Sequence, residues 1–182
     1  MLKQTQLKVS EHNLENLDFE VTLSGTYWGN RNPAFTIAVD NNIVVDSTIT
    51  AFPSKKGLPG NDHMTAEREL GTYQTEKFTV GLTPGSHVLS ISLKGKLPSD
   101  TCGFDSEGRY INDVLLNVEK ITIDGMDLHN LLFEESEYCL DEPSIVDGQT
   151  VDKLHHCVHL GFNGTYKLTF STPFYIWLLE RL

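Results

Sequence analysis

The run Leu17-Asp18-Phe19-Glu20-Val21-Thr22-Leu23 alternates apolar and polar side chains at every step. Successive side chains of an extended chain point to opposite faces, so Leu17, Phe19, Val21 and Leu23 share one face and Asp18, Glu20 and Thr22 the other. Such a strand is half buried in a sheet. His87, Leu89, Ile91 and Leu93 repeat the pattern. Turn residues punctuate these runs. Asp40-Asn41-Asn42 separates Phe35–Val39 from Ile43–Val45, Pro84-Gly85 starts the His87 strand, and Asp124-Gly125 separates Val118–Ile123 from Met126–Leu132. Asn, Asp and Gly tolerate the positive φ of tight hairpins. About eleven short strands follow from this reading, with little helical periodicity. The expected fold is all-β, a jelly-roll-like β-sandwich with a C-terminal β elaboration. A chain of 182 residues fits one domain, 1–182, with a core at 17–128 and the elaboration at 129–182.

Three stretches interrupt the rhythm: 51–72, 96–112 and 134–152. Asp62 is expected to cap a short helix reaching Glu69, and a loop as long as 51–72 suggests function or mobility. Near the C-terminus, Pro173 precedes six consecutive apolar residues, Phe174–Leu179. The expectation is a strand, either central and buried on both faces or an edge that pairs with a neighbour. Asn163-Gly164-Thr165 matches a glycosylation sequon but is expected to be a hairpin turn.

The 25 acidic residues outnumber the 14 basic ones, for a net charge of −11. A phosphate backbone is repelled by that balance, so no nucleic acid is expected as a partner. The charge suits a soluble protein, a cation-binding surface, or assembly on a basic partner. No apolar run approaches the ~18–20 residues of a membrane span, and 1–12 lacks a signal-peptide core. The odd set Cys102, Cys139 and Cys157 argues for reduced thiols and cytoplasmic synthesis.

Three stretches carry a family resemblance. Phe35-Thr36-Ile37-Ala38-Val39-Asp40 resembles a strand ending in an aspartate turn. Phe78–Leu82, Thr83-Pro84-Gly85 and Ser86-His87-Val88-Leu89-Ser90-Ile91 resemble a strand, a proline-glycine turn and a second strand. Asp113–Ile123 with Asp124-Gly125 resembles the passage from an aspartate-rich loop to a last hairpin. In this order they are similar to the calcium-dependent, xylan-binding type of carbohydrate-binding module, over about residues 17–128. The resemblance implies calcium and a glycan ligand. Two departures stand out: Gly95-Lys96 where that family carries asparagine-aspartate, and Asp113-Val114-Leu115 where it carries aspartate-arginine-asparagine. Separately, Pro173–Leu179 resembles the C-terminal ends of small structural proteins of tailed phages, in particular those of marine cyanobacteria. That resemblance implies a virion protein made in the host cytoplasm.

Calcium takes 6–8 oxygen ligands, and Asp100, Asp105, Glu107 and Asp113 lie in or beside one loop, which makes them the candidate metal set. Tyr110 or Phe104 could stack on a sugar ring. The Tyr27-Trp28 pair is expected to be a sugar platform or a protein anchor, or to pack one ring in the core. His155, Cys157 and His159 share a face if their segment is a strand, but His155 and His159 would then be ~13 Å apart, too far for one zinc without a bend. Glu134 and Glu135 are adjacent and expected on opposite sides of a strand, unlike a glycosidase pair. No serine elbow, P-loop or dinucleotide fingerprint occurs. The expected function is therefore non-enzymatic: a virion decoration, fibre or tail module that docks on other virion proteins or on copies of itself through Phe174, Tyr175 and Trp177. The alternative is a free, calcium-dependent glycan-binding module, and a cell-surface glycan is a possible partner of either.

Overall fold

The computed structural model describes residues 14–26, 32–50, 73–104, 110–146 and 148–181, with the backbone alone at 102–104 and 110–112. The predicted helix at Asp62, the 51–72 loop, Tyr27, Trp28, Asp105 and Glu107 lie outside them. Among the described residues thirteen strand segments occur: β1 (Glu15–Thr26), β2 (Ala34–Val39), β3 (Asn42–Thr48), β4 (Gln74–Leu82), β5 (Gly85–Lys94), β6 (Thr101–Phe104), β7 (Tyr110–Asp113), β8 (Leu115–Ile123), β9 (Met126–Asp127), β10 (Ser136–Val146), β11 (Gln149–His155), β12 (His159–Leu160) and β13 (Gly164–Thr172). The described residues also form two short helices, α1 (Leu131–Glu134) and α2 (Phe174–Leu179), and a 3-10 turn at Pro98–Asp100. One sheet runs β12-β8-β1-β4, with β9 also against β8. The other runs β11-β10-β13-β5-β2-β3, and β6-β7 form a separate ribbon. Every pairing between these strands is antiparallel. This is the expected all-β sandwich.

Alternation places the core. Leu17, Phe19, Val21 and Leu23 of β1 are buried and face Leu89, Ile91 and Leu93 of β5 and Leu168 and Phe170 of β13 in a single cluster. Phe19 bridges the layers. It stacks on Phe78 of its own sheet at 5.1 Å and meets Phe170 of the other sheet edge-on at 5.9 Å. Asp40 and Asn41 have φ of 50° and 66°, and Asp124 and Gly125 have 49° and 75°, so both expected hairpins turn through left-handed residues.

The structure differs from the sequence expectation at four places. Phe174–Leu179 is the helix α2, not a strand. Burial of Phe174, Trp177 and Leu178, with Tyr175, Ile176 and Leu179 outside, follows the helical i, i+3, i+4 spacing. Glu15 accepts the Phe174 N–H at 3.1 Å at the first turn of that helix. The predicted strand Met126–Leu132 stops at Asp127, because the Asp127 carboxylate accepts the His129 N–H at 2.9 Å and His129 takes a φ of 45°. Leu131 then starts α1, so Glu134 ends a helical turn rather than lying on a strand with Glu135. Asn163–Thr165 is not a hairpin: it carries the chain from β12 in one sheet to β13 in the other. The 129–182 segment supplies β10, β11 and β13, three strands of the six-stranded sheet, and β13 lies between β5 and β10.

Candidate functional site

At the rim of the sandwich, three pieces of chain converge on Lys96. The first is the segment leaving β5, which turns at Gly95 with a φ of 70°. The Lys96 N–H donates to Asn163 Oδ1 at 2.8 Å, and Asn163 Nδ2 donates to the Lys96 carbonyl at 2.7 Å. One side-chain amide thus matches both backbone groups of Lys96, as a neighbouring strand would. The second piece is the end of β7. The Lys96 ammonium donates to Asp113 Oδ1, and Thr101 Oγ1 donates to the same oxygen at 2.8 Å. The third is the connector after β12, where the Gly161 carbonyl accepts from Lys96 Nζ. The ion pair is buried: the Lys96 and Asp113 side chains are 7% and 9% exposed.

Asp100 is 2% exposed. Its Oδ2 accepts the Leu97 N–H at 2.8 Å and its carbonyl accepts the Val114 N–H at 3.2 Å. It closes the 3-10 turn Pro98–Asp100 onto the start of β8. Of the four candidate calcium ligands, then, Asp100 and Asp113 are brought to one rim with their carboxylates already engaged. As they stand they do not fit a calcium ion, since an ammonium and a hydroxyl already hold Asp113 Oδ1. Among the described residues no group of three or more His, Cys, Asp or Glu side chains is arranged to hold a metal. Phe104 and Tyr110 are register partners across β6-β7, on either side of residues 105–109.

A cleft of about 480 Å³ opens above this floor. Leu97 and Pro98 form one lip, and the opposite wall comes from β10. There the β10-β11 register breaks between Cys139 and Ser144. Residues 140–143 leave the ladder with β11, and Pro143 has no N–H to offer it. Asp141 and Glu142 are exposed on this stretch and line the cleft, while the Asp141 N–H is held by the Asn163 carbonyl at 3.0 Å. Behind the floor, the buried Tyr138 donates its hydroxyl to the Phe162 carbonyl and accepts the Phe162 N–H at 3.1 Å. Burial pushes the Tyr138 phenol well above its ordinary range.

The remaining candidates resolve differently. β11 ends at His155, and His156 takes a φ of 55°, so His155, Cys157 and His159 do not share a strand face. His159 Nδ1 pairs with Asn117 Oδ1 at 2.8 Å, and Cys157 packs against the core, where burial raises its thiol. Among the described residues, Asp40, His87 and Thr172 form the arrangement nearest to a catalytic triad. His87 Nδ1 is 2.6 Å from Asp40 Oδ2, and Nε2 is 3.1 Å from Thr172 Oγ1. Thr172, however, donates its hydroxyl to the Thr83 carbonyl at 2.7 Å, so the imidazole has no hydroxyl proton to take. His87 and Thr172 are buried and clasp three turns together. At the C-terminus, Phe174 and Trp177, predicted as assembly contacts, are 0% and 3% exposed and belong to the core. Tyr175 is 49% exposed.

Lys96, Asn163, Asp141 and Glu142 were not singled out from sequence as site residues. The one sequence signal was positional: Gly95-Lys96 stands where the resembling family carries asparagine-aspartate.

Strand order and pairing define an antiparallel β-sandwich. Two solved structures are similar to it. One is vCBM60 in complex with galactobiose, 12% identical with a TM-score of 0.43, the match covering 85% of this chain and 97% of that one. The other is the selenomethionine form of vCBM60, from work on a circular permutation linking two families of calcium-dependent carbohydrate-binding modules. It is 12% identical with a TM-score of 0.45, covering 84% of this chain and 89% of that one. At that identity the likeness concerns the arrangement of strands, not a ligand. No protein-family model matches the chain, and no curated protein is significantly similar.

Proposed function

We propose that this chain is a non-catalytic module that binds a glycan in the cleft between Leu97-Pro98 and the β10 bulge. The observation that carries the reading is the pairing of an apolar lip with two exposed carboxylates over a pinned floor. A sugar offers a C–H face and vicinal hydroxyls. Leu97 and Pro98 suit the first, and Asp141 and Glu142 accept hydrogen bonds from the second. A cleft of this volume lies within the ~300–1,000 Å³ range of small-ligand sites. Calorimetric titration with galactobiose and with xylo-oligosaccharides tests it. Binding is expected for at least one probe, and Asp141→Ala with Glu142→Ala is expected to weaken it by about tenfold or more, the worth of one charge-assisted hydrogen bond. Full affinity in the double variant, or no heat with any probe, overturns the reading.

A second reading, as a virion component of a tailed phage, draws support from α2. Tyr175, Ile176 and Leu179 are 49%, 56% and 73% exposed on a helix whose other face is rooted in the core. A firmly held apolar surface of this kind suits docking on another virion protein or a second copy. Light scattering on the purified chain tests the self-association arm, and Tyr175→Ser with Ile176→Ser is expected to dissociate any oligomer. The two readings are compatible, because the cleft and α2 are built from different segments.

A further inference from the structure

Lysine is almost never fully buried unless paired, and Lys96 is buried with Asp113 at the rim. Its ammonium faces oxygen donors: a carboxylate that also takes the Thr101 hydroxyl, and the main-chain carbonyl of Gly161. Carboxylate and carbonyl oxygens are the donor chemistry of a hard divalent cation. An ammonium is a compact point charge with three donors, small enough to sit in the same kind of nest. It also does the mechanical work of a structural ion. Lys96 follows β5, Asp113 ends β7 and Gly161 follows β12, so one positive centre ties together three segments distant in sequence.

We propose that the Lys96 ammonium is the built-in cation of this rim and takes the position a divalent metal would otherwise hold. The cleft floor is then assembled without calcium, whether or not a glycan occupies the cleft. The carboxylate cluster visible in the sequence is partly neutralised from within the chain.

Thermal unfolding of the full chain tests this in three arms. In the first, the melting temperature of the unaltered protein is compared in excess calcium chloride and in excess EDTA. No difference is expected, and a rise with calcium overturns the proposal, whichever acidic residues bind it. In the second, Lys96→Met removes the charge and keeps the stem. It is expected to lower the melting temperature by roughly 6–20 °C, as when one partner of a buried ion pair is lost from a domain of this size. An unchanged melting temperature overturns the proposal. In the third, Lys96→Met with Asp113→Leu removes both charges, and most of the loss is expected to return. If the double variant is no more stable than the single one, the loss does not come from leaving the Asp113 charge uncompensated, and the proposal fails. Should Lys96→Met not fold, the double variant and the calcium arm still decide.

Discussion

The hydroxyl of Tyr138 and the backbone of Phe162 exchange hydrogen bonds in both directions. Tyr138 is fully buried on β10, and Phe162 lines the cleft. The core of the sandwich is therefore joined to the floor of the candidate site through one phenol. Tyr138→Phe is expected to cost about 1–3 kcal/mol, since it leaves a carbonyl and an N–H short of a partner. Urea unfolding reads the cost. Any glycan affinity should fall in the same variant, while a surface change such as Lys153→Gln leaves it intact.

Alkaline pH should expose the same tyrosine. Tyr138 and its register partner Tyr166 are both buried, and burial holds both phenols well above the ordinary 10.0. In the unfolded chain they ionise near 10, and in the folded one only at higher pH. The stability they contribute is complete below the unfolded value and is lost as pH rises above it. The melting temperature is expected to fall steeply above about pH 10, and less steeply in Tyr138→Phe. An identical fall in both proteins would assign the alkaline loss to other groups.

Gly164 begins β13 where that strand meets β10. A Cβ there would lie 2.5 Å from the Cys139 carbonyl oxygen and 3.1 Å from Leu140 Cα, both backbone atoms that cannot swing aside. Gly164→Ala is expected to destabilise by about 1–3 kcal/mol through overpacking. Chemical denaturation checks this, and a value near zero would mean that the β10-β13 junction opens freely.

On α2, neighbouring residues should behave oppositely. Trp177 is buried against Phe170 and Phe174, with the Arg181 guanidinium 4.8 Å from its ring centre. Trp177→Ala is expected to cost about 3–5 kcal/mol. Ile176→Ser, on the outer face, should change stability by less than about 0.5 kcal/mol. Calorimetry on the two variants separates the faces, and equal losses would contradict the helical assignment.

The sandwich was legible because its signals are local. Leu17–Leu23 alternates within a single strand, and Asp124-Gly125 announces its own turn, so neither depends on a distant partner. The C-terminal run was not legible in the same way. Six apolar residues satisfy both the strand and the helix period, and only the packing of Phe174, Trp177 and Leu178 on the core decides between them. Lys96 illustrates the deeper limit. A solvated lysine and a buried one are the same letter, and what buries this one is Asp113 and Gly161, 17 and 65 positions away in sequence. The acidic cluster was readable as a set of residue types. That an internal ammonium already answers Asp113 required the fold.

The place of β13 between β5 and β10 bears on how the polypeptide is made. Translation delivers β5 and β10 to the ribosomal exit while residues 164–172 are still to come, so the lane between them waits open. A nascent chain can close the first sheet around β1, β4 and β8 early, but it seals the second only when β13 slides into the middle. Chaperone demand during biosynthesis should peak in that interval, when two strand edges with unpaired backbone N–H and C=O groups face one another across a gap.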